Sequence, residues 1–122
     1  MLSESSEATE EIGRKIGMSL KGGEVVELIS DLGGGKTTLV RGIAAGAGSR
    51  DKVSSPTFTL SKVYSANTFQ IIHYDFYRLQ DPGLMEFELA EALSDKQAVL
   101  IVEWANIVQD VLPKDRLIIR IS

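Results

Sequence analysis

The sequence predicts an α/β fold, a mixed β-sheet flanked by helices in a single domain over residues 1–122, on three observations. Segments with helical spacing alternate with segments dense in β-formers along the chain. One of the latter, Ala98-Val99-Leu100-Ile101-Val102, is apolar throughout, which fits a strand of a parallel sheet covered by helices on both faces. Two others flank Ser65-Ala66-Asn67 and read as a hairpin, so the sheet is expected to be mixed.

In chain order, Ala8, Ile12, Ile16 and Leu20 recur every four residues, an apolar stripe on a helix of about three turns. Gly22-Gly23 breaks that helix. Glu24-Val25-Val26-Glu27-Leu28-Ile29 is a strand by its β-formers. A glycine-rich loop follows at once, then a helix over residues 37–45 that Gly46 and Gly48 end. Residues 49–55 read as loop. Pro56 opens an extended segment over residues 57–64. The return strand covers residues 68–75, with Phe69, Ile71 and His73 on one face and Ile72 and Tyr74 on the other. Asp81-Pro82-Gly83 starts a helix over residues 84–93, whose Phe87, Leu89 and Leu93 are expected in its core face. Residues 116–121 alternate and read as an edge strand.

With 122 residues, 43% apolar and 25% charged, the chain has an ordinary globular composition. A chain of this length buries about two thirds of its unfolded surface, enough for a core. It has no cysteine, which excludes disulfides and thiolate metal sites and suits a cytoplasmic location. No segment has the apolar length of a signal-peptide core or a membrane span, so no membrane partner is expected. The formal net charge is −4, whereas a protein that holds nucleic acid alone through its phosphates is usually basic.

Gly33-Gly34-Gly35-Lys36-Thr37-Thr38 lies between a strand and a helix, the setting of a phosphate-binding P-loop. Glycines let successive backbone N–H groups turn inward as a nest for phosphate oxygens, and the following helix N-terminus adds positive charge. Lys36 is placed for the β- and γ-phosphates, and Thr37 offers a hydroxyl to Mg²⁺. The pattern's first glycine is Ser30 here; if that position requires a positive φ, serine costs about 1 kcal/mol more than glycine. No Asn-Lys-x-Asp motif is present, which favours ATP over GTP as the triphosphate.

Such a site also needs an acid near the metal and a group that orients or deprotonates the nucleophile. Ligands of open α/β sheets bind at the carboxyl ends of strands, where Asp75 and Glu103 stand. Asp31, inside the loop, is either a catalytic acid or a turn-forming residue. Thr57, in Ser55-Pro56-Thr57-Phe58, could sense the γ-phosphate as a switch loop does. Arg41 and Arg78 could stabilise transition-state charge, although solvated arginines are commoner. His73, the only histidine, reads as a sheet-packing residue, and Trp104 as a core or partner-facing one.

With these residues assembled, the chain resembles the TsaE (YjeE) family, the small ATPase of bacterial tRNA threonylcarbamoyladenosine synthesis. The resemblance begins at Ala8-Thr9 and Ser30-Asp31-Leu32-Gly33-Gly34-Gly35-Lys36-Thr37-Thr38, then Arg41-Gly42. It continues through Val53-Ser54-Ser55-Pro56-Thr57-Phe58-Thr59-Leu60, Tyr64, His73-Tyr74-Asp75-Phe76-Tyr77-Arg78-Leu79 and Asp81-Pro82. It ends with Val102-Glu103-Trp104 and Leu112-Pro113. The resemblance implies a Mg²⁺-dependent ATP hydrolase of low intrinsic activity, with ATP and Mg²⁺ as cofactors. Asp31, Leu32, Gly33, Gly34, Gly35, Lys36, Thr37 and Thr38 would bind the nucleotide, with Thr9 approaching the adenine. Thr37 and Glu103 would hold the metal, Asp75, Lys36 and Glu103 would form the catalytic set with Asp75 as its acid, and Thr57 would belong to the switch-like loop. The implied partners are TsaD and TsaB, which carry the transfer chemistry, so tRNA is met only through the complex. The alternatives are a non-catalytic nucleotide switch or scaffold, and a small-molecule P-loop kinase, although the six arginines are scattered rather than gathered in a lid. Against the family pattern, Leu89 stands where Gly is usual and Ala105 where Pro is frequent. Family members usually continue past the position of Ser122 through further strand and an Arg-containing tail.

Overall fold

The computed structural model describes residues 6–30, 35–53, 61–76 and 83–121. The elements are α1 (Ser6–Ser19), β1 (Val25–Ser30), α2 (Gly35–Gly46), β2 (Ser61–Ser65), β3 (Gln70–Asp75), α3 (Gly83–Ser94), β4 (Ala98–Glu103), a short 3-10 helix (Ala105–Val108) and β5 (Leu117–Ile121). The strands form one five-stranded sheet in the order β2-β3-β4-β1-β5. The β2–β3 pair is antiparallel and the other three pairs are parallel. The mixed sheet expected from the sequence is therefore present, with the hairpin at one edge and the last strand at the other.

Strand alternation divides the core in two. Leu28, Ile71, Val99, Ile101 and Ile119 meet Leu39 and Ile43 of α2, Ile12 and Ile16 of α1, and Leu20 just after it, whereas Ala8 at the head of the expected stripe is exposed. Tyr74, Leu100 and Val102 meet Leu89 of α3 and Val108 of the 3-10 helix on the other face. Apolar cover on both faces is why β4 is buried at every position. The face assignment expected for β3 holds, since Ile71 lies in the first cluster and Ile72 and Tyr74 in the second. The turn between β2 and β3 sits slightly later than expected. Ser65 is still in β2, and the Ala66 N–H donates to the Phe69 carbonyl at 3.0 Å. Of the extended segment expected over residues 57–64, residues 57–60 lie outside the described residues.

Two expectations are corrected. Phe87 is not in the core of α3 but 74% exposed. Met85, Leu89, Ala92 and Leu93 make the packed face, and position 87 lies about 200° around the helix from 89. Ser30 is the last residue of β1, in register with Ile121, so its backbone is extended and the positive-φ penalty does not arise.

Close approach of α1 and α2 depends on four glycines. Gly13 and Gly17 on α1 face Gly42 and Gly46 on α2, and a Cβ at Gly17 or Gly46 would collide with backbone atoms of the other helix. The contacts pair Glu10 with Gly42 and Arg14 with Gly46, so the two helices run in the same direction. After α1, Gly22 and Gly23 take positive φ values of 112° and 90°. The Glu24 carboxylate caps this turn by accepting from the N–H groups of Lys21 and Gly22 at 2.9 and 2.7 Å. Among the described residues, no helix is long and apolar enough to cross a membrane.

Candidate functional site

Parallel pairing aligns β3 and β4 so that Asp75 stands in register with Glu103 and His73 with Ile101. Residues two apart on a strand share a face. Asp75, His73 and Glu103 therefore project from the α2 side of the sheet, at the strands' carboxyl ends. Lys36, in the first turn of α2, comes down onto the same place. Its Nζ lies 3.3 Å from Oε1 of Glu103, and Nε2 of His73 lies 2.5 Å from Oε2. Glu103 is 2% exposed and His73 is fully buried. Burial pushes the Glu103 carboxyl up, but the His73 hydrogen bond and the charges of His73 and Lys36 outweigh it, and the net shift is downward. The site thus keeps a buried carboxylate ionised through a cation and a hydrogen-bond donor.

The chain reverses sharply after Glu103. Trp104 takes φ 57° and ψ 51°, the left-handed region, and is the only non-glycine among the described residues with positive φ. Such a conformation costs on the order of 1–3 kcal/mol and persists only where the surroundings impose it. The indole ring of this residue lies beneath Lys36, with Nζ 4.9 Å from the ring centroid. A cavity of about 220 Å³ opens beside this pair, lined also by Glu27, Ile29 and Asn106.

The structure brings together Lys36, Asp75 and Glu103, which sequence reasoning placed in one site. Gly35, Thr37 and Thr38 fall in the first turn of α2, whose N-terminus carries partial positive charge. Thr9 is buried in the first turns of α1, toward the Lys36 end of α2. Asp31, Leu32, Gly33, Gly34, Thr57 and Arg78 lie outside the described residues. Arg41 is exposed on α2.

Two site features escaped the sequence reading. His73 was expected only to fill the sheet, yet it hydrogen-bonds Glu103; its period-two spacing from Asp75 was the available signal. Glu27, an acid inside an apolar strand, is 3% exposed and accepts from Arg116 Nε at 2.6 Å and Gln109 Nε2 at 3.0 Å.

Known proteins are similar to this chain in sequence and fold. The family model for "Threonylcarbamoyl adenosine biosynthesis protein TsaE" matches residues 3–122. The tRNA threonylcarbamoyladenosine biosynthesis protein TsaE of Bacillus subtilis is 39% identical over 115 residues, which cover 91% of this chain and 69% of that protein. Its namesake in Streptomyces coelicolor is 41% identical over 117 residues, covering 92% of this chain and 77% of that protein. The crystal structure of YdiB from Bacillus subtilis superposes with a TM-score of 0.72 at 33% identity, over 97% of this chain and 72% of the other.

Proposed function

The chain belongs to the TsaE family, which serves tRNA threonylcarbamoyladenosine biosynthesis, and from that premise we propose that it binds ATP with Mg²⁺ and hydrolyses the nucleotide slowly in support of adenosine threonylcarbamoylation in tRNA. The observation that carries this reading is the contact between Lys36, at a helix N-terminus, and the buried Glu103 carboxylate. A triphosphate and a divalent cation bring the same two charges in opposite places, so each replaces one partner of that pair.

In this reading Lys36 and the first backbone N–H groups of α2 bind the β- and γ-phosphates. The donors available to the metal are hard oxygens, the Thr37 hydroxyl and the Glu103 carboxylate, which suit Mg²⁺. Among the described residues, no three His, Cys, Asp or Glu side chains gather into a cage of their own. Mg²⁺ is ordinarily held by one or two carboxylates together with substrate phosphates, so the fit is good. When bound, the ion neutralises charge on the phosphates. Asp75, in register with Glu103, orients or deprotonates the attacking water. TsaD and TsaB are the partners in this reading, and a net charge of −4 suits a subunit that meets tRNA only through them.

ATP titration with and without Mg²⁺, followed by phosphate release with TsaB and TsaD added, tests the proposal. Binding is expected to require Lys36, with Lys36→Ala weakening it about 10- to 100-fold, the loss of one or more charge-assisted hydrogen bonds; the variant keeps its fold by circular dichroism but melts lower, because the buried Glu103 carboxylate loses its cation. Phosphate release at background with both partners present would end the hydrolase reading. Unaltered ATP affinity in Lys36→Ala would end the site assignment.

A further inference from the structure

We propose that His73 is a positioning residue for Glu103: it holds Oε2 of the carboxylate, so that Oε1 alone is presented toward Lys36 and the metal side of the site. The inference rests on the reading of Glu103 as a metal-side ligand. Its geometric basis does not. A terminal carboxylate torsion is broad and roughly two-fold, so nothing internal to glutamate fixes which oxygen points where. Here the two oxygens are divided, Oε2 to His73 and Oε1 to Lys36. A carboxylate only accepts, so the His73 nitrogen that faces it carries the proton.

The other ring nitrogen, Nδ1, is buried and has no hydrogen-bond partner among the described residues. An unpaired buried polar atom is destabilising, and an aliphatic side chain would fill the same volume without one. His73 therefore weakens the core it sits in, and among the described residues the side-chain hydrogen bond it makes in return is with Glu103. Its backbone is in β3, between β2 and β4, and its ring lies 6.3 Å from that of Tyr64. The donor is thus mounted on a rigid element, the arrangement that fixes ligand orientation at metal sites.

Mn²⁺ binding in the presence of a non-hydrolysable ATP analogue, followed by electron paramagnetic resonance of the free ion, reads this role without turnover. His73→Leu is expected to weaken Mn²⁺ about 10- to 100-fold, the usual effect of losing such a partner, while metal-free nucleotide affinity is unchanged. His73→Gln, whose amide extends as far as Nε2, is expected to recover most of the loss. His73→Asn, too short to reach Glu103, should behave like His73→Leu and serves in its place if the leucine variant does not fold. Wild-type Mn²⁺ affinity in the folded leucine or asparagine variant, alongside a loss in Glu103→Gln, would overturn the positioning role and leave Glu103 its place. Wild-type affinity in Glu103→Gln would instead remove the metal-side reading of Glu103, and the role of His73 with it.

Discussion

Lys36 touches both Glu103 and the face of Trp104, so one side chain reports on two environments. Trp104 is the only tryptophan in the chain. A ligand that draws the ammonium toward phosphate takes a cation off the indole, and the fluorescence of Trp104 should change on ATP addition. Lys36→Ala should remove that response, and a response of full size in the variant would show that Lys36 is not what moves. Glu103 adds a pH dependence. Its carboxyl is held below its ordinary value of 4.5 in the folded protein. A group so depressed stabilises the fold above its unfolded pKa and loses that contribution as pH falls through the folded value. In urea unfolding from pH 7 downward, the stability advantage of wild type over Glu103→Gln should narrow below about pH 4.5. An advantage that grew with acidity would contradict the assigned direction.

At the scale of elements, the helices and strands were legible because their signals are local. The α1 stripe, the unbroken β4 and the hairpin residues all act within a few positions. What hydropathy could not show is how closely α1 and α2 approach. Glycine carries almost no hydropathy signal, and the four-residue recurrence of Gly13 and Gly17, and of Gly42 and Gly46, becomes meaningful only when the helices are side by side. Gly46 was read as a helix stop, whereas it is also part of the contact surface. Glycine to alanine in an exposed helix stabilises it by about 1 kcal/mol. At Gly17 or Gly46 the added Cβ meets backbone of the neighbouring helix, and overpacking of this kind destabilises by about 1–3 kcal/mol. Gly17→Ala and Gly46→Ala should each lower the urea midpoint with the slope unchanged. A raised midpoint would show that the helices have room between them.

The whole molecule supplies the remainder, since pairings between distant positions follow from strand order. Lys36, Asp75 and Glu103 could be placed from local context because each ends or begins an element. The His73–Glu103 contact spans 30 positions and the Glu27–Arg116 contact 89; the spacing of His73 from Asp75 gives its face but not its partner, and the second contact has no local signature. The second has consequences for the entire fold. Glu27 lies in the interior of β1, while β5, among the described residues, is an edge strand paired with β1 alone. Arg116, just before β5, donates to Glu27, to the Pro113 carbonyl at 2.9 Å and to Gln109 Oε1 at 2.7 Å. Gln109 donates to Glu27 in turn. This network fastens the segment between the 3-10 helix and β5 to β1, an interior strand of the sheet. Removing the cation strands a buried carboxylate, so Arg116→Met should cost about 3–5 kcal/mol in urea unfolding. Removing both charges leaves nothing stranded, and buried ion pairs replaced by apolar residues are often near neutral. The double variant Glu27→Leu with Arg116→Met should therefore recover most of the loss. Hydrogen exchange should show β5 amides less protected in Arg116→Met, with β3 and β4 affected only through global stability. A single variant as stable as wild type, or a double variant no better than the single, would mean that pairing with β1 and packing of Ile119 and Ile121 hold the edge strand without the network.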